Sequence, residues 1–346
     1  MARSGDSDLV GHKTKGASAA DRLFAMPTRL PDARVTPRFA GVCTFCRYPL
    51  IDAVEPASRP VDWAVYGVPF DGGVTYRPGA RFGPRAIREA SQYVKAYSIE
   101  HDVNVCESLS LADAGDAPVR PYEIKGTLDA VHQFAMTLGE PSRTRLLAVG
   151  GDHSVAYANI RATFDRRGKP PGGLALIHFD SHLDTVDAVW GERHGHASPF
   201  IRAIEDGLID PKAMISIGIK GPLNRRDDLD FARSRGVTIV THQTWQREGP
   251  AAIAEFVDRI RAREAYLTFD IDCVDPAFAP GTGTPCPGGF SSAELLGILR
   301  SLRGANIVGA DVVEVLPDRD VSGITSFLAA HVIFEILALD AARRRG

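Results

Sequence analysis

"LALIHFDSHLDT", residues 174–185, joins an uninterrupted apolar run to a polar segment in which Asp180, His182 and Asp184 occupy every second position. An uninterrupted run of this length is typical of a strand that is buried on both faces of a parallel sheet. Side chains at every second position of an extended segment point to the same side. The stretch therefore predicts a central strand whose carboxyl end brings two carboxylates and an imidazole to one place.

Six further apolar runs resemble the first in length and character, and helical patterns lie between them. The runs cover residues 62–68, 145–150, 214–219, 237–240, 265–271 and 306–315. The helical patterns include 84–97, with a proline in its first turn, 251–263, and 291–303, with Ser292 as a candidate cap. Repeated strand and helix units predict an α/β fold around a mainly parallel sheet that helices cover on both faces.

The chain shows no break in composition after residue 38, and residues 39–346 are therefore predicted to form one domain. Residues 1–38 are polar and interrupted by prolines, which indicates an N-terminal arm rather than a folded unit. An ordered arm has to lie on another surface, so we expect it to pack along its own domain or along a neighbouring subunit.

The composition excludes several classes of protein. The 346 residues are 44% hydrophobic and 24% charged, and the formal net charge of −3 gives no reason to expect nucleic acid or an acidic membrane as partner. No apolar run approaches the ~18 residues of a membrane span, and a cytoplasmic protein is expected. The odd number of cysteines, five, indicates reduced thiols, and Cys43 and Cys46 are interpreted as two half-buried thiols in a loop.

Acids and imidazoles follow four of the predicted strands, at the strand ends where open parallel sheets collect their ligands. Beyond the opening stretch these are Asp152, His153, Asp270, Asp272 and Glu314. Crowded carboxylates at a buried edge need a cation to neutralise them. We interpret Asp152 as support for its neighbour. The four other aspartates and two histidines suit two divalent ions per subunit with bridging carboxylates, and the oxygen and imidazole ligands favour Mn²⁺, with Ni²⁺ as the alternative.

Four segments resemble the signature segments of the ureohydrolases, the family of arginases and agmatinases. They are "GGDHS" (150–154), "FDSHLDT" (179–185), "TFDIDCVDPAFAPGTGTPCPGG" (268–289) and "DVVEVLP" (311–317). A fifth segment, "GVPFDGGVTYRPGARFGPRAIREAS" (67–91), resembles the agmatinase and guanidinobutyrase branch, and the resemblance extends over roughly residues 38–340. It implies a three-layer α/β/α sandwich with about eight strands, homo-oligomers of three or six subunits, and hydrolysis of a guanidino group to urea and an amine.

The resemblance also implies the role of each site residue. Asp180 and Asp270 would bridge two ions, whose ligand sets would be His153, Asp180, Asp184 and Asp270 for one and Asp180, His182, Asp270 and Asp272 for the other. Glu314 matches the family's guanidinium-binding acid. His196 falls where the family has a histidine followed by Gly and Thr, although Ala197 and Ser198 stand here instead and His194 adds a second imidazole.

The chemistry of the guanidinium group explains why such residues are needed. Its carbon is a poor electrophile because the planar cation is stabilised by resonance, and a strong nucleophile is required. Two divalent ions about 3.5–4 Å apart hold a bridging water and lower its pKa towards ~7. Asp184 is expected to orient this water and take its proton, and Glu314 to bind the guanidinium through two parallel hydrogen bonds. His196, with His194 in reserve, is expected to protonate the leaving amine.

The expected substrate is a linear guanidino compound, with agmatine or 4-guanidinobutanoate first. L-Arginine is expected to be poor because residues 186–195 lack the Asn and Ser groups of arginases. Asp187 or Glu192 at the mouth of the site would favour agmatine, Arg193 would favour 4-guanidinobutanoate, and Trp190 would favour a small uncharged tail. Other candidates for the mouth are Arg77, Arg81 and His194.

Three alternatives stay open. The altered "HASPF" segment (196–200) makes an unusual small guanidine, such as free guanidine, an alkylguanidine or a biguanide, the first alternative substrate. The chain could instead be a non-catalytic subunit that stabilises an active homologue in a hetero-oligomer. An amide hydrolase similar to histone deacetylases is the most distant alternative, because such sites hold a single ion and fewer acids.

Overall fold

The computed structural model describes residues 28–55 and 58–345, and within them the chain forms a main sheet of eight strands and a separate two-stranded ribbon. The strands in chain order are β1 Trp63–Gly67, β2 Tyr97–Ser98, β3 Val103–Asn104, β4 Leu111–Asp116, β5 Arg145–Val149, β6 Leu174–Phe179, β7 Ile209–Ile219, β8 Thr238–Thr241, β9 Glu264–Asp270 and β10 Asn306–Val313. The main sheet has the order β4-β1-β5-β10-β9-β6-β7-β8, and all its neighbours are parallel.

Helices cover both faces of this sheet. In the described part of the chain they are α1 Gly83–Ser91, α2 Val105–Ser108, α3 Ile124–Thr137, α4 Val155–Arg166, α5 Pro199–Glu205, α6 Asp230–Arg235, α7 His242–Glu248, α8 Ala251–Ile260, α9 Ser292–Ser301 and α10 Ile324–Arg345. Buried residues of α1 and α7 to α10 share one core with the sheet, whereas α3 to α6 contribute to the cores on its other face. The predicted α/β sandwich is confirmed.

The sequence patterns missed β4 of the main sheet and both strands of the ribbon, and they misplaced one cap. β4, "LADAGD", is an edge strand with little apolar area, and it is recognisable mainly by its parallel pairing with β1. The cap of α9 is Ser291, one residue before the predicted Ser292. The Ser291 hydroxyl accepts a hydrogen bond from the Glu294 N–H, and the Glu294 carboxylate accepts one from the Ser291 N–H. This reciprocal pair depends on the Ser-x-x-Glu spacing.

One helix, α10, is as long and apolar as a membrane span. A window of 18 residues within Val321–Arg345 reaches a mean hydropathy of 1.7, so the expectation that no apolar run approaches this length is wrong. Most of that window, 61%, is nevertheless buried inside the protein, where Val332, Ile336 and Leu337 are part of the main core. We therefore describe α10 as a core helix.

The described part of the predicted arm, residues 28–38, lies on its own domain; residues 1–27 are outside the described residues. The Thr28 hydroxyl donates to the Leu109 carbonyl and accepts from the Leu111 N–H, and the Arg38 guanidinium donates to the carbonyls of Gln92 and Val94. The boundary at residue 38 stays a prediction.

All five cysteines are free thiols. In the CxxC pair, Cys43 is exposed and Cys46 is buried, and burial raises the pKa of Cys46 to about 12. A thiol with such a pKa is protonated at neutral pH and is a poor metal ligand or nucleophile.

Candidate active site

The order of the strands explains why distant parts of the chain meet at one place. β5, β10, β9 and β6 are consecutive neighbours at the centre of the sheet. His153 follows β5, Glu314 follows β10, Asp272 follows β9, whose last residue is Asp270, and Asp180 follows β6. Because the strands are parallel, all these residues lie at the same edge of the sheet.

The backbone turns as soon as β6 ends, so the predicted extended alternation of residues 180–184 is wrong. The Asp180 N–H still donates to the Ile217 carbonyl of β7, but the His182 N–H folds back onto the Asp180 carboxylate at 2.6 Å. Asp184 has a φ of 51°, a left-handed conformation that costs free energy for a residue other than glycine. The side chains converge through this turn rather than through the pleat of a strand.

His153 is at the centre of the first group of ligands. Its ring is fully buried, and Nδ1 lies 2.9 Å from Asp184 Oδ2, 3.1 Å from Asp180 Oδ2 and 3.4 Å from Asp270 Oδ2. The other ring nitrogen, Nε2, is 2.8 Å from the Thr268 hydroxyl, which itself donates to Asp311 at 2.6 Å. Because the Thr268 hydroxyl donates its hydrogen bond to Asp311, it accepts a hydrogen bond from Nε2–H of His153, and Nδ1 keeps a lone pair.

This arrangement fits a metal ion. His153 Nδ1 is buried and has no hydrogen-bond partner among the described residues, and three carboxylate oxygens surround its lone pair. Negative groups so close to one another repel unless a cation lies between them. The distances among the four groups are those of atoms around a shared cation, so the residues fit the first predicted ion.

A second group of ligands adjoins the first. His182 Nδ1 lies 3.1 Å from Asp272 Oδ2 and 3.3 Å from Asp180 Oδ1. Asp180 thus turns one carboxylate oxygen to each group, as expected for a bridging ligand. Asp270 turns Oδ2 to the first group, whereas its Oδ1 accepts the Asp272 N–H at 2.8 Å. Asp180 therefore contacts both groups and Asp270 contacts one, and the bridging roles of both residues stay predictions.

The electrostatics of the cluster show how strongly it needs positive charge. Burial and the Asp272 and Asp180 carboxylates raise the pKa of Asp270 well above its usual range, and burial with Asp180 also raises the pKa of Asp184. Burial alone would raise the pKa of Asp180, but the neighbouring His153, His178 and His182 hold it well below its usual range. The carboxylates cannot all be ionised together unless cations neutralise them.

Supporting residues orient the ligands, and most of them were not predicted. His178, two residues before Asp180 in β6, places Nε2 2.9 Å from Asp180 and Nδ1 3.0 Å from the Ser216 hydroxyl. Thr268 and Asp311 were missed, although Thr268 lies two residues before Asp270 and pairs with Asp311 in the β9–β10 register. The hydroxyl of Tyr266 also donates to Asp311, at 2.7 Å.

Replacing Thr268 with valine is expected to weaken metal binding about 10- to 100-fold, because the His153 ring loses the acceptor that fixes its tautomer. Equilibrium dialysis or a competing chelator measures this change directly. Thr268→Ser keeps the hydroxyl and is the matched control. Equal affinities of the valine and serine variants would show that Thr268 does not orient His153.

Glu314 and His196 form a pair beside the metal ligands. Glu314 Oε1 accepts hydrogen bonds from the His153 N–H and from His196 Nδ1, both at 2.9 Å. Glu314 Oε2 is buried and has no partner among the described residues. Glu314 has a φ of 63°, again left-handed, so the fold holds its backbone in a strained conformation next to the cluster.

Both ring nitrogens of His196 are in contact with protein groups, which the sequence did not indicate. Nε2 accepts from the Thr75 N–H at 3.0 Å and lies 2.7 Å from the Thr75 hydroxyl. Burial lowers the pKa of His196, but the hydrogen bond to Glu314 and nearby carboxylates raise it to about 9. When the His196 ring is neutral at Nε2, this nitrogen accepts the hydrogen bond of the Thr75 N–H. When Nε2 is protonated, it can donate to the Thr75 hydroxyl instead.

A cavity of about 360 Å³ leads to the cluster, and its wall includes Thr75, His182, Asp184, His196 and Asp270. A wider cleft of about 760 Å³ beside α1 is lined by none of the predicted ligands. Farther out the wall of the smaller cavity consists of Val186, Val189, Pro222, Leu223, Asn224 and Asp228. Residues 222–228, which we call the 222–228 loop, follow β7; sequence reasoning missed them because β7 delivers no metal ligand.

The predicted residues for the substrate tail lie outside this wall. Asp187 pairs with Arg193 at 3.1 Å and with Arg202, and Trp190 is 85% exposed. His194 packs edge-on against Tyr157, with ring centroids 6.1 Å apart. The lining likewise includes none of Arg77, Arg81 and Glu192. The structure thus brings together the predicted metal ligands, Glu314 and His196, but not the candidates for the tail.

Comparison with known proteins agrees with this geometry. Residues 61–339 match the arginase family. Proclavaminate amidinohydrolase from Streptomyces clavuligerus is 41% identical over 88% of this chain and 95% of its own length, and guanidinopropionase from Pseudomonas aeruginosa is 41% identical over 89% and 94%. The solved structure of the Streptomyces protein has a TM-score of 0.80 at 40% identity, covering 89% of this chain and 100% of that one. The chain therefore belongs to the arginase family.

Proposed function

We propose that this chain is a metal-dependent amidinohydrolase that converts a linear guanidino compound of the agmatine or 4-guanidinobutanoate type to urea and an amine. Glu314 carries the proposal. Its Oε2 is a buried carboxylate oxygen without a partner among the described residues, and Oε1 contacts the backbone of the metal-ligand candidate His153. A buried carboxylate next to a metal centre suits a planar cationic group that can donate N–H hydrogen bonds. The similarity to an amidinohydrolase and a guanidinopropionase supports the same conclusion.

Two divalent ions are part of the proposal, with Mn²⁺ preferred and Ni²⁺ as the alternative. The residues that would hold them are His153, Asp180, His182, Asp184, Asp270 and Asp272. When bound, such a pair of ions lowers the pKa of water and supplies a nucleophile at neutral pH.

Glu314 positions the guanidinium carbon in this proposal. Because Oε1 already accepts two hydrogen bonds, the guanidinium N–H is held mainly by Oε2, rather than by the two parallel hydrogen bonds that the sequence suggested. The fixed backbone of Glu314 limits the movement of this oxygen. The bound guanidinium is therefore oriented before the reaction begins, which lowers the entropic cost of the reaction.

In this proposal Asp184 accepts one proton and His196 donates one. Addition of water to the guanidinium carbon releases one proton, and Asp184, with its pKa raised by burial and by Asp180, is the base next to His153 that can take it. The bond between this carbon and the nitrogen of the tail then breaks. That nitrogen leaves as an amine when it receives a proton, for which His196, on the cavity wall, is the proposed donor. The carbon keeps the oxygen of the added water and becomes urea when the remaining proton on that oxygen passes to solvent.

A screen for urea release combined with metal analysis tests the proposal. Purified protein is expected to contain two divalent ions per chain, to lose activity after chelation and to regain it with Mn²⁺ or Ni²⁺. L-Arginine is expected to fall below the best guanidino substrate by about two orders of magnitude or more, because its α-carboxylate and α-ammonium groups lack dedicated partners. Arginine as the best substrate, or no urea from any guanidino compound, would contradict the proposal.

The complete set of ligands also bears on the alternatives. A non-catalytic subunit has no need for six buried or half-buried acidic and imidazole groups at one edge of the sheet, and a single-ion amide hydrolase has no need for the second group around His182. Assembly into homo-oligomers of three or six subunits remains part of the proposal, and size-exclusion chromatography with light scattering measures it.

A further inference from the structure

The outer part of the cavity is formed by two facing segments. Val186 and Val189 follow β6, and Leu223, Asn224 and Asp228 belong to the 222–228 loop. A volume of about 360 Å³ is at the small end of the range for small-molecule sites. A guanidino compound whose head lies beside His196, the residue of the wall that contacts Glu314, meets these outer walls with the rest of its chain, which we call the tail.

Among the described residues that line the cavity, none is a lysine or an arginine. The basic residues near the mouth have other partners. Arg81 pairs with Asp71, and Arg193 and Arg202 both pair with Asp187. An anionic tail thus finds no lysine or arginine on this wall.

Two further basic residues near the cavity are also engaged. The Lys220 amino group donates to the carbonyls of Asp272 at 2.8 Å and Cys273 at 3.3 Å, behind the ligand turns. The Arg77 guanidinium lies over the Tyr76 ring, 4.8 Å from its centroid. Neither group is part of the wall.

Asp228 is the charged side chain of the outer wall. Its Oδ2 accepts the Arg225 N–H at 3.0 Å, an interaction that fixes the carboxylate within the loop and leaves its charge in place. Arg225 and Arg226 are exposed and lie outside the lining. The remaining outer residues are neutral, and valine, leucine and proline predominate.

The charge of the outer wall should affect the binding of substrates whose tails differ in charge. A carboxylate tail would lose water, face Asp228 and lack a partner, and each of these effects opposes binding. An ammonium tail would be attracted by the Asp228 carboxylate across a partly apolar cavity. We propose that the 222–228 loop, through Asp228, selects guanidino compounds with a cationic tail over guanidino acids, an inference that rests on the function proposed above.

Three compounds with the same four-carbon chain test this proposal: agmatine, 1-butylguanidine and 4-guanidinobutanoate, whose tails are cationic, neutral and anionic. The measured quantity is kcat/KM for urea release by the metal-loaded protein. The native chain is expected to rank agmatine first and 4-guanidinobutanoate last. Asp228→Asn is expected to lower the ratio of agmatine to 4-guanidinobutanoate about tenfold, because both an attraction and a repulsion are removed. Asparagine keeps the acceptor for the Arg225 N–H, so the loop is preserved.

Asp227→Asn is the matched control, because Asp227 is the exposed neighbour of Asp228 and lies outside the lining. In the Asp227→Asn variant, the ratio of kcat/KM for agmatine to kcat/KM for 4-guanidinobutanoate should equal that of the native chain. A higher rate for 4-guanidinobutanoate or 1-butylguanidine than for agmatine in the native chain, or equal ratios in the Asp228 and Asp227 variants, would overturn the selection by Asp228 and leave the proposed function standing. Urea from none of the three compounds, nor from any other guanidino compound, would instead refute the proposed function and the inference with it.

Discussion

Replacing Asp180 with asparagine is expected to reduce urea release to the background rate and to lower the metal content from two ions per chain to at most one. Asp180 is fully buried, and its two carboxylate oxygens face His153 and His182, which belong to different ligand groups. An amide of the same size keeps the packing but removes the negative charge that both ions require. Metal analysis and urea release on the same preparation measure both effects.

Asp187→Asn is the matched control for this variant. Asp187 is only seven residues away, but it pairs with Arg193 and Arg202 outside the cavity wall. The Asp187 carboxylate is largely exposed, and Arg202 keeps Glu205 as a second partner at 3.2 Å, so this change should leave both metal content and turnover close to native values. An Asp180→Asn protein with two ions and native turnover would contradict the assignment of Asp180 as a bridging ligand.

The sequence was sufficient to predict the sheet and the acidic and imidazole residues that meet at its edge, because both depend on local patterns. Continuous apolar runs identified seven strands of the main sheet, and β4 escaped because an edge strand with Asp113 and Gly115 has little apolar area to bury. The candidate ligands lie at the strand ends even though the extended geometry expected for residues 180–184 was wrong. The parallel order β5-β10-β9-β6 brings these ends together, whichever conformation the turns adopt.

The residues that contact the substrate tail could not be predicted, because they depend on the packing of loops. Asp187 and Arg193 have opposite charges close together in the sequence, and in the structure they neutralise each other instead of facing a substrate. Asp228 follows a different strand, and only the adjacency of β7 and β6 places its loop on the cavity wall. The charged residues close to a motif in the sequence therefore did not predict which charged residues line the cavity.

Replacing His196 with alanine is expected to slow turnover by about 10² to 10⁴, the usual effect of losing a general acid, while the metal content stays native. His196 contacts Glu314 and Thr75 and does not contact the metal-ligand candidates directly. The loss of its ring also removes one hydrogen bond to Glu314 Oε1, so a smaller change in KM is expected beside the larger change in kcat. Steady-state kinetics of urea release with agmatine separates the two effects.

The pH profile and a chemical rescue distinguish proton donation from a structural role. The carboxylates around His196 raise its pKa to about 9 against the effect of burial, so its acid form is present below this pH and is lost above it. kcat of the native chain should accordingly fall as the pH rises through about 9, and His196→Ala should lack this alkaline decline. Added imidazole should restore part of the lost rate, because His196 lines the cavity and its removal leaves space there for an imidazole ring. His194→Ala is the control, since His194 packs against Tyr157 outside the wall. If His194→Ala were the slower variant, or if imidazole had no effect and the alkaline decline persisted without His196, the proton donor would have to be another group.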